Sequence, residues 1–329
     1  MMPARAVGRR IEVLPYRLRL VRPVRTARGV HEAREGFLVF AHDGERIGRG
    51  DAAPLPELGT ESLRECHRQL QRATFDLLPE TPAARCAVEQ ALLDLEAQRA
   101  SLPLARLLQR DAPLEVPVSA LLSADGVSEL ARESQRAVAE GFRTLKLKVG
   151  MDDDYARAAV VRDAAGPDVK LRLDANGAWD APTALRKLRE LAPLQVEFCE
   201  QPTADLLGLE GSQVPVAADE MLASDAEAAL DRAAVVVLKP MLLGGLHPAL
   251  QLARRAHERG RRIVVTSSLE SIVGRAGAAH LAAAILAFGP QPAAGVATGT
   301  LVEADGGPDP FAPAGGIVRI PALPGLGLP

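Results

Sequence analysis

A chain of 329 residues has room for one large domain or two ordinary ones around a sizeable core. With 47% hydrophobic and 25% charged residues it has the composition of a soluble globular protein, and a formal charge of −3 leaves no basic footprint for nucleic acid. No signal-peptide core opens it, and its longest apolar run, Leu281 to Phe288, is too short for a bilayer, which argues for a cytoplasmic protein with no membrane partner.

Strands come first. Ile11–Leu20, Phe37–His42 and Arg46–Gly50 read as antiparallel strands, the last two joined by a hairpin turn at Asp43-Gly44. Helical stretches follow over Glu61–Leu77 and Pro82–Arg99, with Thr60 and Thr81 as expected N-caps. This order predicts an α+β unit over residues 1–112.

From about Glu115 the rhythm changes. Eight short apolar units ("EVPVSALL", "TLKLKVG", "KLRLDAN", "QVEFCEQP", "PVAADE", "VVVLKP", "RIVVTSS", "AAGVATG") alternate mostly with helical stretches such as Ala156–Ala165, Ala181–Leu191 and Pro248–Arg259. That alternation predicts a parallel α/β barrel over residues 113–305, with the Pro/Gly-rich tail 306–329 returning to the first unit. An open nucleotide-binding sheet would carry a glycine-rich phosphate turn near its first strand, and none is present.

The units end in charge. Lys146 and Lys148, then Arg172 and Asp174, then Glu200, then Asp219 and Glu220, then Lys239 close five successive units. Strand alternation puts Lys146 with Lys148, and Arg172 with Asp174, on one face. If that face is the barrel interior, Asp174, Glu200 and Asp219 converge, and a hard cation, Mg²⁺ first and Mn²⁺ second, would relieve their repulsion. The competing reading leaves each acid on a loop or against an arginine.

Only five of the 39 basic residues are lysine, so two lysines in "LKLKVG" stand out from a chain that otherwise uses arginine. A desolvated lysine can release its proton, whereas arginine cannot. As a base near neutral pH, Lys148 would need its pKa lowered from about 10.4, which Lys146, Lys239 and a bound cation would favour. Otherwise the pair is a solvated strand edge. Lys170 and Lys187 read as surface residues. Cys66, Cys86 and Cys199 lack metal spacing and read as reduced thiols, Cys199 as packing. "SSLES" (Ser267 to Ser271) offers either hydroxyls for an anionic group or an ordinary helix cap with Glu270 in the first turn. The histidines, His31 and His42 among them, give little support for a triad. A lysine base opposite a cation held by three carboxylates suits removal of a proton α to a carboxylate through an enediolate, and so an enzyme acting on a small-molecule carboxylate.

The run "LKLKVG … LRLDANGAW … EFCEQP … AADE … VVVLKPMLLGG … VVTSSLES" resembles the muconate-lactonising subgroup of the enolase superfamily over nearly the whole chain. "RTARGVHEAREGFLV" and "GRGDAAPLP" resemble its capping domain, although Asp51 stands where the subgroup pattern has glutamate. The resemblance implies a modified TIM-type (β/α)₇β barrel with an α+β cap. It implies Lys148 as acid/base with Lys146 beside it, Lys239 as its cationic counterpart, and Asp174, Glu200 and Asp219 as Mg²⁺ ligands. Within the subgroup, "KPMLLGGL", "TSSLESIVG" and "GVATGTL" are most similar to the o-succinylbenzoate synthases of menaquinone biosynthesis, which are dehydratases. That implies substrate contacts from Ser267, Ser268 and Arg172. The same residues also serve N-acylamino acid racemases and dipeptide epimerases.

Overall fold

The computed structural model describes residues 8–26, 29–151, 153–303 and 308–329. The side chain of His31 and the boundary expected between residues 305 and 306 lie outside the described residues. Strands β1 (Arg10–Thr26), β2 (Gly29–Asp43) and β3 (Arg46–Ala52) form an antiparallel sheet in that order, with Gly44 at φ +64° in the turn between the last two. The sheet packs against the helix Pro82–Ala100 through two glycines: a Cβ on Gly50 would stand 1.8 Å from the Ala87 carbonyl oxygen, and one on Gly48 would stand 1.9 Å from that of Ala91. Backbone atoms cannot swing aside. Gly50→Ala should therefore cost about 3 kcal/mol, the upper range for overpacking. The check is a lower urea midpoint at unchanged slope, and an unmoved midpoint would contradict this packing.

The helix caps differ from those expected. Ser62, not Thr60, caps the first helix (Leu63–Leu70), accepting from the Glu65 N–H at 3.2 Å. Thr60 Oγ1 instead accepts the Leu55 N–H at 2.6 Å. Thr81 sits at the N-cap of Pro82–Ala100 without a capping bond, and Glu61 accepts from the Ala83 and Ala84 N–H groups at 3.1 and 2.8 Å. A carboxylate is the stronger acceptor and favours the positive end of the helix. The first helix stops at Leu70, and a few residues on the Thr74 hydroxyl takes the Asp76 and Leu77 N–H groups in a local turn.

The expected first barrel strand divides in two. Its start, β4 (Glu115–Pro117), pairs antiparallel with the tail, and its end, β5 (Ala120–Leu122), joins the barrel. From β5 the parallel sheet runs in chain order through β6 (Thr144–Lys148), β7 (Lys170–Asp174), β8 (Val196–Glu200), β9 (Val216–Ala218), β10 (Val235–Leu238) and β11 (Arg262–Val265). The expected eighth unit is reduced to two parallel bridges, Val118 to Ala294 and Thr266 to Gly295. The Ser119 N–H bonds the Ala294 carbonyl at 2.9 Å and the Gly295 N–H bonds that of Val265 at 2.8 Å, so this segment closes the ring between β11 and β5. The fold is α/β, a modified TIM-type (β/α)₇β barrel beside a sheet-and-helix unit.

Alternation divides the barrel residues as the period of two requires. Leu145, Leu147, Leu171, Leu173, Cys199, Val236 and Leu238 pack outward in the main core, while Phe198, Ala217, Val235, Val237 and Val264 fill the interior. Cys199 is packing, as expected, and burial pushes its thiol well up. In the tail, β12 (Ile317–Arg319) pairs with β4, the Leu326 N–H donates to Asp94 at 2.8 Å, and Leu104 donates to the Gly325 carbonyl at 2.8 Å. Among the described residues no helix is long and apolar enough to cross a membrane.

Candidate active site

Five consecutive strand ends carry the charges. Lys148 ends β6, Asp174 ends β7, Glu200 ends β8, Asp219 follows β9 and Lys239 follows β10. The sheet register aligns Lys148 with Asp174 and Asp174 with Glu200, so these side chains form one layer at the C-terminal mouth. All but Asp219 line one cavity, and Asp219 lies buried beneath it against Lys239. Leu55, Glu57 and Leu58, from the segment after β3, and Arg34 on β2 close the cavity from the other unit.

The contacts are short and charged. Lys146 Nζ donates to both Glu200 oxygens at 2.8 Å and lies 3.0 Å from Asp174 Oδ2. Lys148 Nζ lies 3.2 Å from the same Asp174 oxygen and donates to Asn176 Oδ1 at 2.6 Å. Lys239 is ion-paired with Asp219. Burial opposes the Lys146 charge, but Asp174, Glu200 and Asp219 together hold its pKa above the ordinary lysine value. Lys239 is raised in the same way, burial being outweighed by Asp219 and Glu220. Burial likewise opposes the Asp174 charge, and Lys146 and Lys148 hold its carboxyl below the usual range.

The oxygen atoms suit a hard divalent cation. Asp219 Oδ1 and Glu220 Oε2 are buried without a hydrogen-bond partner, and all the donors are carboxylates on neighbouring strand ends. Among the described residues no three acidic, histidine or cysteine side chains already stand as a coordination shell, since lysine ammonium groups hold the carboxylate oxygens. A cation taking Asp174 and Glu200 would replace Lys146 as their counter-charge.

Several expectations change. Arg172 points inward but lies one layer below the mouth, 2% exposed, and is not part of the cavity wall. It donates to Glu197 at 2.7 Å and to the Ala293 carbonyl at 2.6 Å and covers the Phe198 ring, tying β7 to the closing segment. Alternation gives a side chain's face and not its depth. Lys187 is only partly exposed: it donates to buried Asp154 at 2.6 Å and lies over Trp179, while Asp154 accepts the Gly150 and Met151 N–H groups after Lys148. Lys170 is 59% exposed but pairs with Glu197 at 3.2 Å. Ser267 and Ser268 do line the cavity, Ser267 sharing a hydrogen bond with Thr298 at 2.7 Å.

Two side chains of the cavity, one on its floor and one on the first unit, were not singled out from sequence. Asn176, at φ +46°, accepts from Lys148 and donates to Glu220 Oε1 at 3.1 Å, linking the Lys148 end of the arc to the residue after Asp219. The "DAN" run two residues past the strand end was the available signal, since asparagine is among the few residues that favour the left-handed region. Arg34 is buried, donates to the Ala53 carbonyl at 2.6 Å and keeps its Nε unpaired at the cavity.

Comparisons with known proteins agree with this geometry. A family model described as "Enolase C-terminal domain-like" matches residues 129–329, and one described as "MenC, N-terminal domain" matches residues 8–86. The chain is 33% identical over 312 residues to the L-Ala-D/L-Glu epimerase of Bacillus subtilis (strain 168), covering 83% of this chain and 84% of that protein. It is 40% identical over 222 residues to the o-succinylbenzoate synthase of Thermobifida fusca (strain YX), covering 62% of this chain and 66% of that one. Among solved structures, the dipeptide epimerase from Methylococcus capsulatus complexed with Mg and the dipeptide L-Arg-D-Lys superposes with a TM-score of 0.87 at 28% identity, over 97% of this chain and 98% of that one.

Proposed function

Given that this chain belongs to the enolase superfamily, we propose that it is an o-succinylbenzoate synthase. It would dehydrate 2-succinyl-6-hydroxy-2,4-cyclohexadiene-1-carboxylate to o-succinylbenzoate, a step of menaquinone biosynthesis. The observation that carries the reaction class is the arc itself, two lysines at the ends of three adjacent carboxylates. Lys148, as the neutral amine, takes the proton α to the ring carboxylate and returns it to the departing 6-hydroxyl, which leaves as water while the ring becomes aromatic. Lys239 faces the charge that develops when that proton leaves, and Lys146 supplies positive charge beside Lys148. Asp174, Glu200 and Asp219 would hold Mg²⁺, or Mn²⁺ in its place. When bound, such a cation supplies Lewis-acid polarisation of the substrate carboxylate.

The domain reading belongs to the same proposal. Residues 1–112 with the tail 306–329 form a cap over the mouth of the barrel 113–305. In support, Arg34, Leu55 and Leu58 of the first unit wall the cavity.

Sequence relatives include epimerases, so a second reading keeps the chemistry and changes the substrate to an N-acylamino acid or a dipeptide. Beyond the floor the barrel contributes the hydroxyls of Thr266, Ser267, Ser268 and Thr298, and Arg34 stands on the other unit. Hydroxyls and a guanidinium suit a succinyl carboxylate and support the first reading, whereas a dipeptide's ammonium needs an acidic partner, for which the wall offers Glu57. The test is turnover of the cyclohexadiene precursor by the purified protein with Mg²⁺, beside deuterium incorporation at the α-carbon of N-succinyl amino acids and dipeptides in D₂O. Aromatic product at a rate well above the exchange rates supports the dehydratase. No aromatic product, with α-exchange of either alternative, replaces it by the racemase or epimerase.

A further inference from the structure

A buried polar contact joins the two units beside the cavity. Asp51 on β3 is 0% exposed, and its Oδ1 accepts from the Tyr16 hydroxyl at 2.8 Å. Its Oδ2 accepts from both the backbone N–H and the hydroxyl of Ser271, at 2.8 and 2.6 Å, across 220 residues of chain. Ser271 is the N-cap of the helix Ile272–Leu286, its hydroxyl also accepting from the Val273 N–H at 3.2 Å. The expected first-turn role of Glu270 is not what is seen. Its carboxylate folds back to accept the Ser268 N–H at 2.7 Å.

Between these two carboxylate contacts stands Leu269, at φ +62°, a conformation that residues with a side chain rarely adopt and that persists only where surrounding bonds over-determine it. The approach of Asp51 requires a glycine in the helix, because a Cβ on Gly274 would lie 2.8 Å from Asp51 Oδ2. The turn so held places Ser267, Ser268 and Leu269 on the cavity wall, with the buried Ser268 hydroxyl beside the Glu270 carboxylate.

We propose that Asp51 is a positioning residue, which acts through Ser271 to hold the Ser267–Ser271 turn in its strained shape and so aims the Ser268 hydroxyl at the substrate's distal oxygen. Only the last step rests on reading the cavity as the substrate site. The first unit then sets specificity twice, by the residues it places in the cavity and by the shape it imposes on a barrel loop. Burial lifts the Asp51 carboxyl to about 6, against the hydrogen bonds from Ser271 and Tyr16 and with Glu270 adding to the rise. Geometry, not charge, is what the turn needs. An asparagine at 51 can accept both Ser271 donors on its oxygen while the Tyr16 hydroxyl rotates to accept from its amide.

The test uses the full chain carrying Asp51→Ala, Asp51→Asn or Ser271→Ala, in two measurements. Backbone hydrogen exchange of the segment Ser267–Val273 needs no substrate. Exchange should be at least about tenfold faster in Asp51→Ala, about threefold faster in Ser271→Ala, which keeps the backbone donor, and near parental in Asp51→Asn. Steady-state kinetics on whichever substrate the parent turns over should show KM raised at least about tenfold in Asp51→Ala with kcat within about threefold, and KM restored in Asp51→Asn. Should Asp51→Ala not fold, the contrast between Ser271→Ala and Asp51→Asn still decides. Parental exchange in both Asp51→Ala and Ser271→Ala overturns the clamp. Faster exchange with a fall in kcat and an unmoved KM overturns its role in aiming Ser268. If the parent turns over neither the precursor nor the exchange substrates, the proposed function fails while the exchange measurement still decides the clamp.

Discussion

Replacing Lys148 by alanine should lower kcat by about 10³-fold, within the range that loss of a general base produces. The fold should survive, because the side chain lines a cavity wall and Asp174 keeps Lys146 at 3.0 Å as a partner. Lys148→Arg should be nearly as inactive. It keeps the positive charge beside Asp174 and Asn176 but cannot be deprotonated in a protein. The arginine variant is therefore the sharper experiment, since it separates a base from a charge. An arginine variant as active as the parent in solvent-deuterium exchange would move the base elsewhere, with Lys239 the next candidate.

Asp174→Asn should weaken Mg²⁺ binding by more than the roughly 10–100-fold that loss of an outer-shell partner costs. It removes one of three carboxylates and leaves Lys146 and Lys148 with one counter-charge fewer. Both effects oppose a dication. Isothermal titration of Mg²⁺ into parent and variant measures the affinity directly, and activity against Mg²⁺ concentration gives an independent value. Activity that recovers only at much higher Mg²⁺ is the expected outcome. Unchanged affinity would remove Asp174 from the ligand set and leave it as the counter-ion of the two lysines.

Much of the site was legible because it is written in strand ends. Lys148, Asp174, Glu200, Asp219 and Lys239 each close a short apolar unit, and a period of two assigns them a face without knowledge of partners. The rarity of lysine in an arginine-rich chain was a second and independent signal, and three lysines proved to sit at the cavity floor. What misled was depth. Arg172 shares the inward face with Asp174, yet it packs on Phe198 below the mouth. Lys187 looked like a solvated helix residue because its partner, Asp154, lies on a different helix 33 residues away.

The caps show the same limit at shorter range. Thr81 occupies the position that local rules name, but Glu61, some twenty residues earlier, brings a better acceptor to the Ala83 and Ala84 N–H groups. Local preference names candidates, and tertiary packing chooses among the acceptors that can reach.

The amino-acid sequence by itself determined the alternation of strand and helix, the inward face of each strand and the order of charges around the mouth, since all three follow from patterns a few residues long. The tertiary structure alone decided that two bridges at Ala294 and Gly295 close the ring, that Arg172 lies beneath the acids, and that Asp51 grips Ser271. Each of these depends on hydrogen bonds between residues about thirty to more than two hundred positions apart, whose meeting is set by how the whole chain packs and leaves no local pattern to read.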